Sequence, residues 1–108
     1  MNPSEELARL KRINPKAEMW NVGGPLVFLP RQTVRHAGQD TTVDALLAPR
    51  AHSGYSTRLF FDRPFPGRGQ NWSVHQIGGR AWHAMSFNNV PDSLPWTSIL
   101  ATHLGQLQ

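Results

Sequence analysis

The chain has 108 residues, 39% of them hydrophobic, a formal charge of +4 and no cysteine. That length fits a single domain, 1–108, with one modest core, and the missing thiols exclude disulfides, thiolate catalysis and Cys-ligated zinc. No stretch approaches the roughly 20 apolar residues of a membrane span, and the charged N-terminus MNPSEELARLKR has no apolar signal core, so no membrane association and a cytoplasmic location are expected.

Residues 2–13 read as a short helix. Asn2 suits the N-cap, Pro3 the first helical position, and Glu5 and Glu6 the positive first turn. Leu7, Leu10 and Ile13 form a narrow apolar stripe, Lys11 and Arg12 fall in the last turn, and Asn14-Pro15 stops the helix. Residues 17–22 read as a first strand and Gly23-Gly24-Pro25 as a turn. Leu26–Leu29, bounded by Pro25 and Pro30, reads as a buried strand, and the polar run Arg31–Thr41 as an excursion or hairpin loop. Thr42–Leu47 and Thr57–Phe61 complete a set of four strands, with PRAHSGYS between them as a loop. Trp72–Ile77 is a short extended piece ending at Gly78-Gly79.

The stretch Trp82–Trp96, WHAMSFNNVPDSLPW, is too aromatic for a solvated loop and too irregular for one regular element. It reads as an ordered junction leading into a C-terminal helix. Ser93 or Asp92 can cap that helix, Pro95 falls in its first turn, and Trp96, Ile99, Leu100, Leu104 and Leu107 make its amphipathic stripe. The expected fold is therefore α+β: an N-terminal helix, a four-stranded antiparallel meander, an irregular aromatic segment and a C-terminal helix.

Chemistry-bearing residues are sparse. His83 and Ser86 are a Ser-His pair without a GxSxG elbow or a marked carboxylate. Asn88 or Asn89 can offer an amide donor to an oxyanion, although loop Asn residues more often form turns. His75 and His83 flank a Gly-Gly turn, but two His without a third ligand do not make a zinc site, so neither a metal nor another cofactor is expected. The arginines are dispersed, so no nucleic-acid stripe stands out. The alternative of a small basic nucleic-acid-binding module would use Trp72, Trp82 and Phe87 beside Arg68 and Arg80.

The run TTVDALLAPRAHSGYSTRLFFDRPF, followed by WHAMSFNN and a Trp-led helix, resembles the bacterial family E branch of the ubiquitin-conjugating (UBC) fold. The matching positions are Thr42, Asp44, Leu46, Leu47, Pro49, Gly54-Tyr55, Phe60-Phe61, Pro64, Trp82, Met85, Ser86 and Asn88. The resemblance implies a UBC-like component of a bacterial ubiquitin-like conjugation system. Its partners would be an activating-enzyme-like protein and a ubiquitin-like modifier. The chain lacks the catalytic Cys and the His-Pro-Asn motif of those enzymes, and Ser56 stands where the family has Pro. A cysteine-less adaptor, in effect a pseudoenzyme, or an atypical carrier is therefore expected. The candidate catalytic residues are Ser86 and His83, from the Ser-His pair, and Asn88, carried over from the resemblance, which also implies Arg9, Lys11 and Arg12 on the first helix as candidate partner-binding residues.

Overall fold

The computed structural model describes residues 2–65, 71–87 and 89–108. The first helix, α1 (Pro3–Ile13), forms as its sequence dictates. The Asn2 carboxamide oxygen accepts the Glu5 backbone N–H at 2.8 Å, and the Asn14 N–H closes the other end on the Leu10 carbonyl. Asn14 then ties the helix to the sheet, its Nδ2 donating to the Pro30 carbonyl at 3.0 Å and to Gln32 Oε1 at 3.2 Å. Leu10 is buried, but Ile13, expected on the same stripe, is 55% exposed. The inner position is taken by Glu6, whose buried carboxylate has a structural task described below.

Among the described residues six antiparallel strands form one sheet in the order β1-β2-β3-β4-β6-β5. They are β1 (Glu18–Asn21), β2 (Pro25–His36), β3 (Gln39–Ala48), β4 (Arg58–Phe61), β5 (Trp72–Ile77) and β6 (Arg80–Met85). The first four make the expected meander. The count of four is corrected to six because the aromatic segment starts as a regular strand. Gly78 and Gly79, at φ +59° and +82°, do not end the extended piece; they form the two-residue reversal that suits a hairpin. Trp72–Ile77 and Arg80–Met85 pair across it without a register shift.

The Arg31–Thr41 segment is also sheet rather than loop. β2 passes a register shift between Leu29 and Gln32 and runs on to a reversal at Ala37-Gly38. At the irregularity Arg31 takes φ +53°, and its N–H is satisfied by Asp44 Oδ1 at 3.0 Å.

The second helix, α2 (Trp96–Gly105), lacks the expected Ser93 or Asp92 cap: its N-cap is Pro95, with no side-chain cap bond from its own segment. Glu6 supplies that bond from α1, accepting the Trp96 N–H at 2.7 Å and the Arg9 guanidinium at 2.7 Å. A buried carboxylate on a helix N-terminus satisfies an orphan donor and meets the positive end of the dipole.

Strand alternation sorts the core into two layers. On one face Val27, Leu29, Ala45, Leu47, Leu59, Phe61 and Met85 pack with Leu10, Ile99, Leu100 and Leu107 from the helices. On the other face Leu26, Leu46, Ala48, Phe60, Ile77, Trp82 and Ala84 pack with Trp20 and Phe28. No described helix covers this second layer. The sheet curls over it instead: Trp20 of β1 stacks on Phe28 at 4.8 Å and lies edge-on to Trp82 at 6.1 Å. The Trp20 ring comes so close to Gly78 that a Cβ there would sit 3.0 Å from Cζ3. Among the described residues no helix is long and apolar enough to cross a membrane.

Candidate functional site

The second layer is interrupted at one place. Arg58 projects from β4 into it and is only 4% exposed. Its guanidinium crosses to β5, where Nη2 donates to Ser73 Oγ at 3.2 Å. It lies over the Tyr55 ring at 4.1 Å and near the Phe60 ring at 5.8 Å. Nε is buried and has no hydrogen-bond partner among the described residues. None of the ion pairs among the described residues includes Arg58. A buried guanidinium without a carboxylate is costly, and the ring contacts offset only part of that cost.

Two histidines border it. His75 shares a 2.9 Å hydrogen bond with Ser73 Oγ through Nε2 and meets the Phe60 ring edge-on at 5.3 Å. His52 packs on the same ring at 5.2 Å, and its Nδ1 is 2.6 Å from Ser53 Oγ. Burial first, and then the Arg58 charge, lowers the pKa of both imidazoles below their ordinary value. Both are neutral near pH 7, leaving Arg58 as the local charge. Burial also lowers the pKa of Arg58, and the Tyr55 phenol opposes that shift.

Local sequence explains the placement. His52 and Tyr55 exchange backbone hydrogen bonds at 2.9 and 3.0 Å across Ser53 and Gly54, both at positive φ. This tight reversal, HSGY, presents the His52 ring and the Tyr55 ring together. Ser73 and His75 share the parity of buried Ile77, so β5 turns them inward. An open cavity of about 510 Å³ adjoins the cluster, lined by Val22, Gly23, His52, Ser53 and the 74–78 run of β5. None of its lining residues is acidic. Of these groups His52, Ser53 and His75 line the cavity, while Arg58, 4% exposed, is not among its lining residues; an anion there would meet two imidazoles and a hydroxyl with the Arg58 charge close by.

The other buried histidine, His103 on α2, differs. It is 2% exposed and its Nε2 is 2.9 Å from Thr57 Oγ1, which donates onward to the Val90 carbonyl at 2.8 Å. Thr57 spends its proton on Val90, so His103 is the donor in that pair. Burial chiefly, with Arg58 second, pushes its pKa down to about 4. It is a satisfied core group.

The residues expected from sequence lie elsewhere. His83 sits on β6 opposite Phe61 and Val74, on the helix side of the sheet. Ser86 is exposed beyond the end of β6 and its N–H donates to the Asn71 carbonyl at 2.8 Å. No hydrogen bond joins Ser86 to His83 among the described residues, and Asn88 lies outside those residues. His75 and His83 occupy opposite faces, and no group of three His, Asp or Glu side chains could hold a metal among the described residues. Arg9 pairs with Glu6, while Lys11 and Arg12 lie exposed in the last turn of α1. Trp82 is fully buried, its Nε1 donating to the Ile77 carbonyl, and Trp72 packs against Phe61 and Phe65. The stacking surface of the nucleic-acid alternative is therefore core, and Arg68 lies outside the described residues.

Sequence reasoning missed Arg58, His52, Tyr55, Ser73 and His75 as a group. The available signal was parity: two polar residues on the apolar side of β5, and an arginine heading the four-residue buried strand RLFF. Comparison of the chain with protein-family models, with curated proteins and with solved structures finds no match.

Proposed function

We propose that this chain is a non-catalytic, UBC-like protein-binding domain whose working site is the Arg58 pocket, where it holds an anionic group of its partner. The observation that carries this reading is the buried Arg58 guanidinium, which has no carboxylate partner among the described residues and lies close to His52 and His75, two of the residues that line a 510 Å³ cavity. A carboxylate or phosphate entering there would be drawn by the Arg58 charge, with no acidic residue in the lining to oppose it. The UBC-like part rests on the sequence resemblance and is supported by the order of helix, meander and closing helix. The absence of cysteine rules out a thioester carrier, which favours an adaptor.

The site reading is tested by adding acetate or phosphate and following the histidine titrations by NMR. A bound anion favours protonated imidazole, so the midpoints of His52 and His75 rise saturably, and by more than that of His103, on the other face, where the Arg58 charge is the smaller cause after burial. No shift, or the same shift at His103, contradicts the pocket. The partner reading is tested by size exclusion and intact mass with an activating-enzyme-like protein and a ubiquitin-like modifier. Co-elution without an adduct, weakened by Arg12→Glu, is the result expected of an adaptor. A covalent adduct lost in Ser86→Ala would replace that reading with an atypical carrier.

A further inference from the structure

The pocket opens along a strand edge that nothing described pairs with. Among the described residues β5 is the outer strand of the sheet and is bonded to β6 alone. The two-residue Gly78-Gly79 reversal makes Ile77 and Arg80 the hydrogen-bonded pair next to the turn, and the pattern then alternates. His75 and Ser73 thus spend their backbone groups on β6. Val74 and Gln76 turn theirs outward.

This edge lacks the usual protection. Natural edge strands carry a charge, a proline or a bulge that discourages pairing, and β5, WSVHQI, has none of these. The opposite edge, β1, is only four residues long and opens on Glu18. At the β5 edge stand two exposed apolar residues: Val22, 43% exposed, lines the cavity, and Val74, 60% exposed, turns its side chain to the opposite face, as its pairing with His83 requires. From β4, two strands inward, the Arg58 guanidinium reaches across to Ser73 of β5 itself.

We propose that the partner presents an extended acidic peptide, which adds to the free edge of β5 as a seventh strand and places one carboxylate on Arg58. This rests on the pocket reading and names its occupant. Strand addition accounts for the outward backbone groups of Val74 and Gln76. Alternation places every second side chain of the added strand on the Arg58 face. Val74 gives an apolar contact to the alternate side chains on the opposite face, and the Arg58 charge, with no acidic residue in the cavity lining, favours an acidic segment over a basic one. The carboxylate is drawn to the cation and fixes the peptide's register.

The probe is a short blocked peptide alternating valine with glutamate, titrated into the isotope-labelled full chain. Hydrogen exchange at the outward amides of Val74 and Gln76 slows on binding. Replacing glutamate by glutamine in the peptide, or Arg58 by Met in the protein, weakens binding by about tenfold or more, as loss of a charge-assisted bond requires. Two further peptides are N-methylated on alternate residues, which removes strand donors and leaves the charges and the protein untouched. One of the pair loses binding and the other keeps it. Equal binding by both, or unchanged exchange at Val74 and Gln76, overturns the strand addition, even if acetate and phosphate still titrate His52 and His75. A peptide that binds equally well to the Arg58→Met protein overturns the assignment of its carboxylate.

Discussion

The two faces of the sheet treat buried polar groups differently. On the helix side each is closed within the chain. Glu6 is shared between the Trp96 N–H and Arg9, and His103 is tied through Thr57 to Val90. On the other side Arg80 lies over the Trp82 ring at 4.4 Å and finds Asp44 Oδ2 at 3.4 Å. Arg58, also set on aromatic rings of that face, finds no carboxylate. Both arginines rest on rings, so ring packing does not distinguish them. Burial and the carboxylate do: the Arg80 side chain is 40% exposed and reaches Asp44, whereas Arg58 is 4% exposed and reaches no carboxylate among the described residues. Fold stability explains Arg80 and His103, and leaves Arg58 as a group held ready for something outside the chain.

The largest effects expected are in the apolar layers themselves. Trp82→Ala removes the largest side chain of the uncovered layer and is expected to cost about 3–5 kcal/mol, and Leu100→Ala under the helices about 2–5 kcal/mol, both read by urea unfolding. A Trp82 loss within error would mean that the second face is no true core, and the contrast between the faces would collapse.

Next comes the pH dependence of the closed side. His103 has a native pKa of about 4 against 6.5 for a free imidazole. The unfolded state therefore takes up its proton first. The stabilisation is complete above about pH 7, falls as pH drops from 6.5 towards 4, and levels below that. The total loss is about 3 kcal/mol. In His103→Gln, where the amide still donates to Thr57, the fall between those pH values is smaller by about that amount. Parallel profiles for the two proteins would show that His103 is not held neutral.

The smallest effect sharpens the comparison most. Arg58→Met takes an unpaired cation out of the interior and keeps much of its volume. Stability is expected to stay within about 1 kcal/mol of the parent or to rise. A loss of several kcal/mol would make Arg58 a structural residue like Arg80, and the site reading would lose its basis.

How much of this was legible in the sequence follows from the range of the signals. The α1 cap at Asn2, the strands around Leu26–Leu29 and Thr42–Leu47, and the α2 stripe are local patterns, and the structure carries them. The β5–β6 hairpin was hidden because Gly78-Gly79 reads equally as a stop and as a reversal. The α2 cap was hidden because Glu6 lies ninety positions away in sequence. The Arg58 site was illegible for a related reason. An arginine, two histidines and a serine from three segments become a site only once strand order places β5 one strand beyond β4 and β6, and once Asp44 is seen to serve Arg80. Ser86 and His83 stand out as a Ser-His pair and Arg9, Lys11 and Arg12 through the resemblance, and the fold sets them outside this cluster.

The most direct test is the side-chain Nε–H resonance of Arg58 itself, followed by nitrogen-15 NMR while phosphate and then the valine–glutamate peptide are added. The account predicts a slowly exchanging, saturable shift at Arg58 with both ligands, while the Arg80 resonance stays in place. An Arg58 resonance that ignores both ligands, or moves only in parallel with Arg80, would contradict it.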